Sequence, residues 1–117
     1  MTRVYCVGLA VADYVFYVDE FPQGANKHRA HDAIAIGGGG AANASVAVAR
    51  LGGKALLSSR MGYDAVAQTI LDGLAKEGVD CASVVQSADA RSGFSTIMID
   101  ARGDRQIVEK PDLASAD

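Results

Sequence analysis

Four consecutive glycines, Gly37 to Gly40, run directly into Ala41-Ala42-Asn43-Ala44-Ser45. Glycine lacks a Cβ, so its backbone can come close to a ligand and adopt positive φ angles. If a helix begins there, its first N–H groups have no partner within the helix and point at whatever lies above them. Sugar hydroxyls or a phosphate would suit such donors. Taken alone, however, the run is equally a tight turn or a flexible loop. Three polar residues nearby have chemistry to offer. The carboxylate of Asp13 can accept two hydrogen bonds from adjacent hydroxyls, and the amide of Asn43 can donate and accept at once. The ammonium of Lys27 could meet an anionic group. Each also has a plain alternative: a turn or strand-end residue for Asp13, a helix cap for Asn43 and a solvated surface lysine for Lys27.

The elements that must position these residues are legible in outline. Val4 to Gly8 reads as a buried first strand ending in a loop near Asp13, and Tyr14 to Val18 as a second β-rich run stopped by Phe21-Pro22-Gln23-Gly24. Residues 30 to 36 can return as its partner. The alanine-rich segment 41 to 51 predicts a closely packed helix ended by Gly52-Gly53. Ala55 to Ser59 reads as a strand. Asp64 can cap a helix in which Val66, Ile70 and Leu74 share one face and which Gly78 ends. Val79 to Gln86 offers a further strand. Gly93 to Asp100 and Arg105 to Glu109 flank Ala101-Arg102-Gly103-Asp104, a β-hairpin pattern in which the Arg-Gly-Asp tripeptide is a chance turn sequence. Strands alternating with helices imply a parallel α/β sheet, with the antiparallel pieces standing apart from it.

Composition narrows the classes. Of 117 residues half are hydrophobic, and 11 Lys and Arg stand against 14 Asp and Glu, for a net charge of -3. A nucleic-acid partner usually leaves a clustered basic footprint, which is missing here. No stretch approaches the roughly 20 apolar residues of a membrane helix. Cys6 and Cys81 have no partner at metal-ligand spacing and read as core residues. The expectation is a cytoplasmic protein with no nucleic-acid or membrane partner.

Spacing makes the glycine run specific. Gly38-Gly39-Gly40-Ala41-Ala42-Asn43 is followed by Gly52 and then Gly62, within Ala47-Val48-Ala49-Arg50-Leu51-Gly52 and Arg60-Met61-Gly62-Tyr63-Asp64. With Val7-Gly8 and Ala12-Asp13 upstream and Gly78-Val79 downstream, this resembles the amino-terminal signature of the PfkB, or ribokinase, family of carbohydrate kinases. The resemblance implies a ribokinase-like α/β fold: a Rossmann-type three-layer sandwich with a parallel central sheet and a small antiparallel β lid. The lid would be supplied by residues 14–36 and 93–109 and would form a homodimer interface. It further implies ATP-dependent phosphorylation of a sugar hydroxyl, with Asp13, Gly38, Gly39 and Asn43 lining the sugar pocket and Lys27 in the lid stretch. Within the family, Tyr17-Val18, Pro22 and Lys27 are similar to the sulfofructose kinase branch, whereas Glu109 in the second lid strand would repel such an anionic sugar.

The resemblance covers only the amino-terminal part of the family pattern, and Ala67 replaces a usual glycine. The second family signature, of Asp-Thr-x-Gly-Ala-Gly-Asp type, does not occur before Asp117. The resemblance therefore implies a catalytic Asp downstream of Asp117, ATP and Mg bound mainly by that further part, and a 117-residue fragment that is inactive alone. Two other readings stand beside it. Gly37-x-Gly39-x-x-Ala42 satisfies a degenerate dinucleotide-binding fingerprint and would suit an NAD(P)-binding oxidoreductase; Ser58-Ser59-Arg60 lacks the acidic residue expected for the ribose of NAD, while its Arg could suit the 2′-phosphate of NADP. A non-catalytic module that binds sugar and dimerises through its lid is the other.

Overall fold

Val4 and Cys6 turn inward and Tyr5 and Val7 outward along the first strand, β1 (Arg3–Val7), the period-two pattern of a strand with one packed face. The computed structural model describes residues 2–111. After β1 come β2 (Val11–Tyr17), β3 (Asp32–Gly38), α1 (Gly40–Arg50), β4 (Lys54–Ser58), β5 (Arg60–Met61), α2 (Ala65–Lys76), β6 (Val85–Gln86), β7 (Phe94–Ile99) and β8 (Arg105–Lys110).

The body is parallel, as expected. β1 pairs with β4 from Arg3↔Lys54 to Val7↔Ser58, and Leu56 bridges onward to Asp80. Helix α1 packs on β1 and β4 through its small residues Ala41, Ala42 and Ser45, all buried. The Ser45 hydroxyl donates to the Ala42 carbonyl at 2.8 Å, so this buried polar group is satisfied. Cys6, Leu57, Met61, Ala67, Ile70 and Leu74 belong to one core cluster. Both cysteines are free thiols, Cys6 inside that core.

Both helices end in the same hydrogen-bond pattern. Gly52 N–H donates to the Ala49 carbonyl and Gly53 N–H to Val48, while Gly78 and Val79 donate to Ala75 and Leu74. These are Schellman endings, which satisfy carbonyls the helix leaves over. Arg50, at the end of α1, donates through Nε to Glu77 just after α2 at 2.9 Å, joining the two helix ends at the surface.

Three expectations change. The strand foreseen over residues 30–36 is Asp32–Gly38, so Gly37 and Gly38 are strand residues, because Ala12 and Val11 across the ladder supply their register partners. Asp13 is not in a loop after β1 but is the third residue of β2, opposite Ile36. The strand foreseen over Val79 to Gln86 reduces to the Asp80 bridge and the two residues of β6. There the Asp80 carboxylate accepts the Ala82 N–H at 2.9 Å and Val84 N–H donates to the Cys81 carbonyl, a local turn that competes with the ladder.

The two hairpins form as foreseen, β2 with β3 and β7 with β8, both antiparallel. They do not stand as separate pairs. β2 runs parallel to β7 from Ala12↔Phe94 to Tyr17↔Ile99, giving one mixed sheet of order β3-β2-β7-β8. The β7–β8 turn is closed by the Asp100 carboxylate, which accepts the N–H groups of Arg102 and Asp104.

Asp64 ties this sheet to the body. One carboxylate oxygen accepts the Ala67 N–H at 2.8 Å, capping α2 as foreseen, and the other accepts the Ser92 N–H at 2.9 Å just before β7. The Ser92 hydroxyl accepts the Gly62 N–H, and a Cβ on Gly62 would collide with the Ala90 carbonyl. Burial alone would raise the Asp64 carboxyl, but the N–H groups of Ser92 and Ala67 and the Ser92 hydroxyl outweigh it and hold it below the ordinary carboxylate range. Its folded value being lowered, the stability it contributes is present above the ordinary carboxylate range and is lost as pH falls through the lowered value. Asp64→Ala is expected to cost about 1–2 kcal/mol at neutral pH, and the gap from wild type should close on acidification. Urea denaturation at a series of pH values checks both.

Candidate functional site

Asp13 and the glycines meet where β2, β3 and the start of α1 converge. Asp13 is half-buried in β2, and its carboxylate lies over Gly38 of β3. A Cβ built on Gly38 would stand 2.5 Å from Asp13 Oδ2 and 2.9 Å from Cγ. The missing side chain at Gly38 is therefore the space that the carboxylate fills. No donor among the described residues satisfies that carboxylate, and burial pushes its pKa above the ordinary value. A half-buried acceptor with no partner from its own chain can take hydroxyl donors from a ligand.

Gly39 does a different job. It precedes α1 with φ 92 and ψ 142, a backbone conformation that side chains disfavour. A Cβ there would stand 2.5 Å from the Leu9 carbonyl oxygen, and that same oxygen accepts the Ala42 N–H at 3.2 Å. The helix start is thus pressed against the segment between β1 and β2. No side chain caps α1, and of its first N–H groups those of Gly40 and Ala41 have no partner among the described residues. Asn43 lies in the first turn, exposed, with its N–H donating to the Gly39 carbonyl at 2.9 Å. Since no side chain caps α1, the capping alternative for the Asn43 amide falls.

The structure brings together Asp13, Gly38, Gly39 and Asn43, and Lys27 makes no hydrogen bond or ion pair among the described residues. Lys27 is exposed on the 18–31 connection, which leaves from the Tyr17–Asp32 end of the hairpin. Sequence reasoning missed two neighbours of these residues. Leu9, whose carbonyl seats the helix start, carries no signal because a backbone atom acts. Ser95, beside Asp13 in the ladder, could have been found only if the parallel β2–β7 pairing had been known.

A cleft of about 690 Å³ opens elsewhere, lined among others by Tyr63, Asp64, Arg91, Ser92, Phe94 and Lys110. Phe94 and Lys110 share the ladder row of Ala12, which faces away from Asp13, so this cleft is not the site just described. Among the described residues no group of three or more His, Cys, Asp or Glu comes together as a cation site.

The dinucleotide reading fails on topology. Gly37 lies inside an antiparallel strand, opposite Ala12, whereas the fingerprint requires a parallel strand turning directly into its helix. The glycine run instead joins the sheet of the two hairpins to the body, with an unpaired carboxylate beside it. The profile of the pfkB family carbohydrate kinases matches residues 1–117. The chain belongs to that family.

Among curated pfkB-family relatives, ribokinase of Staphylococcus aureus (strain COL) is 28% identical over 106 residues, covering 90% of this chain and 35% of the relative. The crystal structure of a protein from Agrobacterium tumefaciens, provisionally named a ribokinase, superposes with a TM-score of 0.88 at 40% identity over 95% of this chain and 36% of that one. Arabidopsis thaliana ribokinase, solved with ribose and ATP, shares the fold with a TM-score of 0.82 at 24% identity, covering 95% and 36%. The chain thus spans about a third of the length of the relatives it matches, and its fold is ribokinase-like, with a parallel body and a mixed sheet.

Gly38→Ala should separate fold from site. The added Cβ meets the tip of a side chain that can rotate away, so stability should change by less than about 1 kcal/mol. The displaced carboxylate should weaken sugar binding by about tenfold, the scale of one hydrogen bond to a charged group. Thermal denaturation and sugar titration of the complete protein read the two effects. Asp13→Asn should raise the melting temperature at neutral pH. A carboxyl with a raised folded value binds its proton more tightly in the folded state, so stability declines as pH rises through that window and the penalty is fully present at pH 7. Melting at pH 4 should show a smaller gain.

Proposed function

We propose that the complete protein is an ATP-dependent carbohydrate kinase, this chain supplying sugar recognition. The observation that carries the reading is the Asp13 carboxylate, unpaired and half-buried over Gly38 beside the open amino end of α1. A carboxylate accepts and helix N–H groups donate, and a polyol needs both. Asn43, exposed in the first turn, adds a side chain able to do either. Membership of the pfkB family and the likeness to ribokinases support sugar as the ligand class.

In this reading residues 11–38 and 94–110, the β2–β3 and β7–β8 hairpins, form a lid over the sugar. Covering the reacting hydroxyl excludes water that would otherwise accept the phosphoryl group. The lid also presents apolar residues on the face of Asp13, Ile34 and Ile36 on β3 and Ile107 on β8, each 42% exposed or more, and a homodimer would bury those that the sugar leaves uncovered. Lys27, exposed on the 18–31 connection, would meet an anionic group of the ligand if that connection closes over the sugar. The catalytic Asp and the residues that hold ATP and Mg belong to the part of the kinase beyond this chain. ATP supplies the transferred phosphoryl group when bound, and Mg neutralises its charge. The residues of this chain bind and orient the sugar and keep water out. The described residues contain no helix long and apolar enough to cross a membrane, and a cytoplasmic kinase is the setting we infer.

In the complete protein Asp13→Ala should raise the KM for sugar at least tenfold and leave the KM for ATP within about twofold, since only hydrogen bonds to the sugar are lost. An ADP-release assay with each substrate varied in turn measures this. An unchanged sugar KM would mean that Asp13 serves the fold alone.

A further inference from the structure

The strand registers put Asp13 in a row that crosses all four strands of the mixed sheet. Ile36 stands opposite Asp13 on β3, Ser95 opposite Asp13 on β7, and Glu109 opposite Ser95 on β8. Residues paired across a ladder project from the same face, so Asp13, Ser95 and Glu109 share the face on which the Asp13 carboxylate overlies Gly38. Asp13 and Glu109 sit two strand spacings apart, about 10 Å, with Ser95 between them.

Ser95 is the telling member. It is 91% buried, with a relative exposure of 9%, and its hydroxyl has no hydrogen-bond partner among the described residues. A buried hydroxyl without a partner carries a penalty unless a ligand satisfies it. Its neighbours along the row are two carboxylates. The next row on this face is Ile34, Val15, Ile97 and Ile107, without a charge, and Asp32 and Arg105 lie one row further. Lys110 belongs to the alternate face. No cation therefore stands in the row of Asp13 or in the row beside it.

We infer that Ser95 and Glu109 continue the sugar-binding surface of Asp13, and that the paired carboxylates select a neutral or amino-bearing sugar and reject an anionic one. The inference rests on the kinase reading above and adds the charge class of the substrate. Two carboxylates offer acceptors to hydroxyl or ammonium donors, while a carboxylate, sulfonate or phosphate on the sugar would meet like charge. Exclusion by repulsion is as effective a source of specificity as an added contact. The similarity of Tyr17-Val18, Pro22 and Lys27 to kinases of an anionic sugar is outweighed at the position that would have to face the anion.

The test uses the complete protein and three probes: fructose as the neutral sugar, glucosamine as the cationic one and gluconate as the anionic one. Wild type should turn over fructose or glucosamine and discriminate against gluconate. Glu109→Gln, which keeps size and removes charge, should raise kcat/KM for gluconate relative to fructose by about tenfold, the scale of one repulsion at a partly solvated site. Ser95→Ala should raise the KM for fructose with kcat and melting temperature little changed. Glu109→Gln tests the charge claim even if the buried Ser95 variant folds poorly. If wild type phosphorylates fructose or glucosamine but the gluconate-to-fructose ratio stays within twofold in Glu109→Gln, the charge assignment is wrong and the kinase reading stands. A wild type that prefers gluconate overturns the charge assignment directly. If no sugar of any class yields ADP, the kinase reading falls and the charge assignment with it.

Discussion

The parallel ladder between β2 and β7 is the constraint on which the proposed recognition surface depends. A two-stranded hairpin is marginal in water, and each of the two hairpins here is only a pair. Joined from Ala12↔Phe94 to Tyr17↔Ile99 they become one four-stranded sheet, and Asp13, Ser95 and Glu109 acquire a common row. The join closes a long segment of chain, from the end of β2 to the start of β7, that includes both helices. It is held at its near end by Asp64 and Ser92, where the cap of α2 and the approach to β7 share one carboxylate. Helix, sheet and body are therefore registered against one another at a single polar junction.

Two aspartates show how environment divides labour between identical side chains. Asp64 receives two backbone N–H groups and is held low, as a carboxylate whose charge is fully used by the fold. Asp13 receives none among the described residues, is pushed up by burial, and leaves its charge available. The first is used by the fold, and the second is the group that the proposed sugar recognition calls on. The glycines divide in a similar way. Gly38 makes room for a carboxylate, whereas Gly39 makes room for a backbone carbonyl, so one motif serves the ligand face and the chain path at once.

The local chemistry of the chain was readable before the fold was known. The two helices, their glycine endings, the Asp64 cap and the β7–β8 hairpin all depend on side chains or backbone angles within a few residues of one another. So did the count from Gly38 through Asn43 to Gly52 and Gly62, which carried the family resemblance that the profile match and the ribokinase structures bear out. Boundaries were less secure where an external partner decided them. Gly37 and Gly38 look like loop and are strand because β2 lies alongside, and Val79 to Gln86 looks like strand but breaks at the Asp80 turn.

By itself, then, the sequence determined the fold class and the helix limits to within a residue or so, and it singled out Asp13, Gly38, Gly39 and Asn43, which the fold places beside one another. Only the tertiary structure decided that the two hairpins are one mixed sheet, that the Asp13 carboxylate occupies the volume a side chain at Gly38 would need, and that Ser95 and Glu109 share the row of Asp13. The physical reason is range. Propensity, capping and turn chemistry act between neighbours in the chain, whereas strand register and steric clearance arise between residues that only folding makes adjacent.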